Sequence, residues 1–142
     1  MEKLDNLKQF NSSSPEEKLI REQVLENLLN TPVPKDQILE NLALFLNTKN
    51  ISRLLFINDM YNKILEVQGV IMEFGVRWGA TLSMLSALRG LYEPYNIQRK
   101  IIGFDTFEGF IKVSSKDGSH KMMKNKNLSV TDNYENHLEK IL

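Results

Sequence analysis

The fold is decided by two stretches, Gly69-Val70-Ile71-Met72-Glu73-Phe74-Gly75-Val76-Arg77-Trp78-Gly79 and Lys100-Ile101-Ile102-Gly103-Phe104-Asp105. Each contains a short apolar run, which is typical of a buried parallel strand. Between them, residues 80–91 carry leucines at helical spacing and end before Glu93-Pro94. A strand, a glycine turn, a helix and a second strand make up the βαβ unit of a doubly wound α/β fold.

The residues before this unit predict helices. Ser14-Pro15-Glu16-Glu17 is a helix start, because serine caps the first turn, proline fits its first position and carboxylates favour the positive end of the helix dipole. Further helices are predicted over residues 35–47 and 52–67. We therefore expect a helical amino-terminal cap over residues 1–68, followed by the first part of a Rossmann-like core over residues 69–142.

The composition argues against several classes of function. Of the 142 residues, 42% are hydrophobic and 25% are charged, as in an ordinary globular domain. Eighteen basic residues balance eighteen acidic ones, without the basic excess of nucleic-acid binders. The absence of cysteine excludes disulfides and thiolate chemistry. No apolar run approaches the roughly 20 residues that span a bilayer, and residues 1–5 lack a secretory pattern. A cytoplasmic protein without nucleic-acid or membrane partners is expected.

The glycine turn and the acidic residue after the second strand predict a nucleoside site. At Gly75 no Cβ hinders the approach of a ligand, and the free N–H groups of the next helix face the same crevice. Asp105 ends the neighbouring strand, where a carboxylate can accept both hydroxyls of a ribose. These features together predict a cofactor that contains adenosine.

The spacing of the glycines distinguishes between such cofactors. A pyrophosphate site needs the pattern G-x-G-x-x-G, whereas three residues separate Gly75 from Gly79 here. A carboxylate at Glu73 would repel a pyrophosphate but attract the cationic amino acid end of S-adenosylmethionine. Methyl transfer is therefore the preferred prediction, and a nicotinamide-dependent enzyme is the disfavoured alternative.

The same motifs resemble those of the macrocin O-methyltransferase (TylF-like) family of S-adenosylmethionine-dependent enzymes, over about residues 69–142. The resemblance rests on the turn quoted above and on Phe104-Asp105-Thr106-Phe107-Glu108-Gly109-Phe110. It implies that the acceptor is a sugar hydroxyl in surface-polysaccharide or secondary-metabolite biosynthesis. It also implies a set of cofactor-binding residues: Glu73, Gly75, Val76, Gly79, Asp105, Thr106 and Phe107.

The chain also departs from the family that it resembles. Later strands of the family carry acidic pairs that bind a divalent metal, usually Mg²⁺, but no Asp-x-Asp or Asp-Asp occurs here. Neither a metal ligand nor a catalytic base is therefore assigned. The sequence ends at Leu142 after two recognisable strands, as expected of the amino-terminal part of such an enzyme. A non-catalytic remnant or subunit is the alternative, and the expected protein partner is a second copy or a complementing carboxyl-terminal chain.

Simpler interpretations stand beside the functional ones. Glu73 also fits an ordinary strand-end carboxylate, and Asp105 fits a turn residue. Packing explains Trp78 as well as ligand contact does. His120 lies in a polar turn sequence and is interpreted as solvated rather than as a general base. The lysines of residues 111–128 fit a solvated loop, with recruitment of a phosphorylated sugar as the alternative.

Overall fold

The computed structural model describes residues 13–120 and 122–142, and the sequence predictions for residues 1–12 lie outside this part of the chain. The chain divides into two compact units between Leu55 and Phe56. Among the helices of the described residues, none has the length and apolar character needed to cross a membrane. The predicted boundary of cap and core, between residues 68 and 69, stays a prediction.

The predicted helix start in the first unit is confirmed. Helix α1 spans Pro15–Leu29. The Ser14 hydroxyl accepts a hydrogen bond from the N–H of Glu17 at 3.2 Å, and the Glu17 carboxylate accepts one from the N–H of Ser14 at 3.0 Å. This reciprocal pair is a capping box, which satisfies two backbone donors at the helix start.

The predicted helix over residues 35–47 is wrong. The structure has two short 3₁₀ helices instead, Lys35–Gln37 and Leu42–Phe45. Between them, the side-chain amide of Asn41 donates to the carbonyl of Gln37 at 2.9 Å. The backbone N–H of Asn41 donates to the same carbonyl at 3.2 Å, so one helical bond remains between the two 3₁₀ helices. Helix α2 then spans Thr48–Asn62.

The second unit contains the predicted βαβ arrangement, which is thereby confirmed. Strand β1 spans Ile71–Phe74, helix α3 spans Ala80–Tyr92 and strand β2 spans Ile101–Phe104. The two strands are parallel, and Glu73 lies opposite Gly103. Their carboxyl ends therefore meet at one edge of the sheet, where the predicted site residues follow.

The buried core of the second unit lies on one face of this sheet. It contains Val76 from the turn after β1, Leu82 from α3 and Leu138 from the short helix α4, Tyr134–Leu138. A Cβ at Gly103 would lie 2.7 Å from Cγ2 of Val76, so glycine allows the turn to pack over β2. Partly buried side chains that pack against this core are Ile101, Phe107 and Tyr134.

A buried ion pair connects the segments that lead into the two strands. Arg99, whose residue is 4% exposed, donates from Nε to Oε2 of Glu93 at 2.9 Å. Its other nitrogens donate to the carbonyls of Ile64, Val67 and Gly69 at 2.8, 2.7 and 3.1 Å. Because Arg99 precedes β2 and these carbonyls precede β1, one guanidinium holds together the segments that precede both strands.

Glu93 has two further donors. The hydroxyl of Tyr61, a residue that is 1% exposed, donates to Oε2 at 2.7 Å, and the Asn96 amide donates to Oε1 at 2.7 Å. Hydrogen bonds from Arg99 and then from Tyr61 lower the pKa of Glu93 to about 2. Burial, followed by the bond to Glu93, raises the pKa of Tyr61 to about 12. The ionised carboxylate is therefore the form that the fold stabilises.

We expect the stability of the protein to fall between pH 4.5 and 2 because of this carboxylate. The unfolded chain takes up a proton near the ordinary pKa of 4.5, whereas the folded chain does so only near 2. Above pH 4.5 this carboxylate therefore contributes about 3 kcal/mol to the free energy of unfolding. This contribution is lost as the pH falls from 4.5 to 2. NMR titration of the Glu93 carboxyl carbon measures the folded pKa directly, and an ordinary midpoint near 4.5 would contradict the hydrogen bonds that Arg99 and Tyr61 donate to this carboxylate.

Candidate cofactor site

A tight turn, residues 75–79, connects β1 to α3 at the carboxyl edge of the sheet. The N–H of Gly75 donates to the carbonyl of Phe104 at 2.9 Å, and the N–H of Gly79 donates to that of Val76 at 2.9 Å. The turn contains positive φ angles of 90° at Gly75, 51° at Arg77 and 76° at Gly79. Glycine adopts such angles without the steric cost of a Cβ, which accounts for both glycines.

The two glycines differ in what surrounds them. A Cβ built at Gly75 would have no atom within 4 Å, so the backbone there is open to a ligand. A Cβ at Gly79 would collide with the Leu138 side chain, because α4 packs directly over this position. We conclude that Gly79 is required for packing and for the start of α3, whereas Gly75 leaves room for a bound molecule.

Asp105 holds the turn after β1 and the turn after β2 together. Its Oδ2 accepts a hydrogen bond from the N–H of Arg77 at 2.6 Å, and its Oδ1 accepts one from the N–H of Phe107 at 2.7 Å. A carboxylate has about four acceptor positions, which is more than these two bonds use. Asp105 can therefore act as a structural link and still accept hydrogen bonds from a ligand.

The remaining predicted residues lie around this link, in differing environments. Glu73 is half-buried within β1, two residues before Gly75. The Val76 residue is 6% exposed and its side chain belongs to the core. A ligand would therefore contact its backbone rather than its side chain. Thr106 is exposed, and its hydroxyl accepts the N–H of Glu108 at 3.4 Å. Phe107 is half-buried and packs against the core.

An aromatic cluster supports the turn from one side. The Tyr134 hydroxyl donates to the carbonyl of Trp78 at 3.0 Å, and the two rings meet edge to face with centroids 4.9 Å apart. The Arg77 guanidinium lies 5.9 Å from the centroid of the Trp78 ring. The ring centroids of Phe107 and Tyr134 are 6.3 Å apart. These contacts support the packing interpretation of Trp78. Tyr134 is not among the candidate residues of the sequence analysis, because it lies outside both glycine and aspartate motifs.

The loop that follows Phe107 returns to this residue, where backbone hydrogen bonds hold it. The N–H of Phe110 donates to the Asn127 carbonyl at 3.1 Å, the N–H of Lys126 donates to the Phe110 carbonyl at 2.8 Å, and the N–H of Val130 donates to the Phe107 carbonyl at 3.1 Å. The loop is therefore anchored at both ends near the candidate site. His120 is exposed within it, in agreement with its interpretation as a solvated residue.

The described residues do not fit a metal centre. Over residues 13–120 and 122–142, no three side chains of histidine, cysteine, aspartate or glutamate come together in a way that could hold a metal ion. We therefore assign Mg²⁺ no ligands in this part of the chain.

The architecture described above is a partial methyltransferase-like α/β fold. It matches two solved structures of one enzyme, CalS11. The crystal structure of CalS11, calicheamicin methyltransferase, is 40% identical in sequence with a TM-score of 0.89, over 95% of this chain and 52% of that chain. The apo structure of CalS11, described as a TDP-rhamnose 3'-O-methyltransferase in calicheamicin biosynthesis, is 37% identical with a TM-score of 0.75, over 93% and 48%.

The chain therefore spans about half the length of these solved structures. No family model matches the sequence, and no curated protein does so either.

Proposed function

We propose that this chain is the cofactor-binding part of an S-adenosylmethionine-dependent O-methyltransferase that acts on a sugar hydroxyl, in surface-polysaccharide or secondary-metabolite biosynthesis. The 40% identity to calicheamicin methyltransferase supports the reaction class. The paired motifs around Gly75 and Asp105 support a finer assignment to the macrocin O-methyltransferase (TylF-like) family. The proposal is carried chiefly by the Asp105 carboxylate, which lies at the open glycine turn with acceptor capacity to spare.

Each residue of the crevice has a role that its geometry permits. Asp105 would accept the hydroxyls of the ribose, with Thr106 and Phe107 beside the adenosine. The open backbone at Gly75 would allow close contact with the ligand, and the Glu73 carboxylate would attract the ammonium group of its methionine end. A charge-assisted hydrogen bond of this kind is about twice as strong as a neutral one.

Two other predicted residues, Val76 and Gly79, would contribute through their backbone rather than through a side chain. Val76 would offer its backbone and Gly79 would set the direction of α3, because the side-chain space at both is filled by the core. When bound, the cofactor would supply an electrophilic methyl group, carried on its positively charged sulfur. The contribution of these residues is to hold the cofactor in a fixed position, which is a large part of catalysis in such transfers.

Replacing Gly75 with alanine is expected to weaken the binding of S-adenosylhomocysteine at least tenfold. The new Cβ would enter the space in which the ligand approaches the backbone, at a φ of 90° that alanine rarely adopts. Calorimetric titration measures the change. Gly118→Ala is the matched control, because Gly118 has a similar φ of 81° and equally open surroundings but lies in the loop. Equal affinities of the two variants would contradict the role of Gly75.

The cofactor itself is tested by calorimetric titration with S-adenosylhomocysteine and with NAD. The titration is run on the chain alone and on a mixture with the half of CalS11 that the chain does not cover. Binding of S-adenosylhomocysteine in both samples supports the proposal, while binding in the mixture alone supports a subunit that needs a partner. Coverage of 52% of the solved chain favours including this second case. Binding of NAD, or no binding of S-adenosylhomocysteine in either sample, would contradict both.

A further inference from the structure

We infer that Tyr134, which lies outside both sequence motifs, is a positioning residue of the proposed cofactor site. Its side chain holds the turn of residues 75–79 in the conformation that the ligand contacts. This role requires no contact between Tyr134 and the ligand. The inference rests on the proposed function, because it concerns how the same crevice keeps its shape before the cofactor binds.

The turn of residues 75–79 contains a backbone conformation that its surroundings must hold. Arg77 has a φ of 51°, in the left-handed region that residues with a Cβ rarely adopt. Such a conformation is disfavoured in an isolated chain and persists where neighbouring groups fix it. The turn therefore depends on its bonds to the rest of the unit if it is to be formed before a ligand arrives.

Two side chains bind the Arg77-Trp78 dipeptide at its two ends. At the start, the N–H of Arg77 donates to Oδ2 of Asp105 at 2.6 Å. At the end, the carbonyl of Trp78 accepts a hydrogen bond from the Tyr134 hydroxyl at 3.0 Å. Asp105 follows β2, whereas Tyr134 belongs to α4. Two separate elements therefore fix the same short piece of backbone.

The position of Tyr134 is itself fixed by packing. Leu138 lies four residues later, on the same face of α4, and packs over Gly79. The ring of Tyr134 meets that of Trp78 edge to face, with centroids 4.9 Å apart and an interplanar angle of 89°. The Phe107 ring centroid lies 6.3 Å away on the side of the second turn. The ring is thus held beside both turns of the crevice, and its hydroxyl adds a directional bond to the backbone.

A fixed turn raises the affinity for a ligand that contacts its backbone. Where the conformation competent for binding is only partly populated, the apparent dissociation constant rises in proportion. Removal of the Tyr134 hydroxyl takes this donor from the Trp78 carbonyl, so the turn would spend less time in the conformation that binds. The ligand would then have to order the turn as it binds, at a cost in affinity.

The variant Tyr134→Phe tests this inference, because it keeps the ring and removes the hydroxyl alone. Calorimetric titration is run in both samples described for the cofactor test, the chain alone and the mixture. We expect S-adenosylhomocysteine to bind about five- to tenfold more weakly than to the wild type. Tyr92→Phe is the matched control and should bind like the wild type. The Tyr92 hydroxyl also donates a hydrogen bond, to Oδ1 of Asn58 at 2.8 Å, and its ring stacks on that of Tyr61.

A fluorine label on Trp78 reports the conformation of the turn directly. Trp78 is the one tryptophan of the sequence, so 5-fluorotryptophan incorporated into this chain gives a single ¹⁹F resonance, which can also be read in the mixture. Without ligand, this resonance should be shifted or broadened in Tyr134→Phe, and saturating S-adenosylhomocysteine should return it to the position of the bound wild type. A merely structural role would instead lower the urea midpoint, which should stay alike in the two variants.

The outcomes separate this inference from the proposed function. If the wild type binds S-adenosylhomocysteine and the two variants bind it equally well, the inference is overturned and the proposed function stands. The same conclusion follows if the Trp78 resonance of the ligand-free protein is unchanged in Tyr134→Phe, or if saturating ligand does not restore it. Absence of binding by the wild type in both samples would contradict the proposed function, and this inference with it.

Discussion

Replacing Arg99 with methionine is expected to lower the free energy of unfolding by about 3–5 kcal/mol. Methionine fills a similar volume but leaves the Glu93 carboxylate buried without its cation. The variant also removes the donors to three backbone carbonyls that precede β1. Each buried acceptor that loses its donor adds a further penalty.

Urea unfolding followed by circular dichroism measures this effect. Lys100→Met is the matched control, because the neighbouring side chain is exposed and its replacement should change stability by no more than about 0.5 kcal/mol. The double variant Arg99→Met/Glu93→Gln should recover part of the loss, since no uncompensated charge then remains. Equal stabilities of Arg99→Met and Lys100→Met would contradict the structural role of the pair.

Replacing Asp105 with alanine is expected to weaken the binding of S-adenosylhomocysteine by about 1–3 kcal/mol, which is roughly five- to 150-fold. The carboxylate that we propose as the acceptor for the ribose hydroxyls is removed, and the N–H groups of Arg77 and Phe107 lose their common partner. Stability should also fall, by about 2 kcal/mol, because these two bonds hold the two turns together. Calorimetry measures the first effect and urea unfolding measures the second.

Asp117→Ala is a suitable control for this variant. Asp117 also accepts a backbone hydrogen bond, from Ser114 at 2.7 Å, but it lies in the loop rather than between the strand ends. Its replacement should leave the affinity for S-adenosylhomocysteine unchanged. If Asp105→Ala binds the ligand as tightly as Asp117→Ala does, Asp105 has no part in the site.

The βαβ unit was predictable because its determinants are local. Short apolar runs, two glycines and an acidic strand end follow one another closely, and each restricts the backbone in a known way. Parallel pairing then brings Asp105 to the turn that contains Gly75, as expected from the common direction of the strands. The helix predicted over residues 35–47 failed for the opposite reason. Its hydrophobic spacing was helical, but most helical stability comes from tertiary packing of the apolar face, and Leu39, Leu42 and Leu44 remain 80%, 45% and 66% exposed.

Other features depend on contacts between distant parts of the chain, which spacing does not reveal. The carbonyls that Arg99 binds lie 30 to 35 residues before it. The motif assigned Gly75 and Gly79 similar ligand roles, and the difference between them arises because Leu138, far along the sequence, packs over Gly79. The same packing places the Val76 side chain in the core.

Amide chemical shifts from two-dimensional NMR, recorded during titration with S-adenosylhomocysteine, locate the binding site residue by residue. If a sulfonium nucleoside is the natural ligand of the crevice, the largest changes will fall on residues 75–79 and 105–107, with little change around Ile97 and Leu142 in a groove beside β2. Changes confined to that groove, or none at saturating ligand, would contradict the assignment.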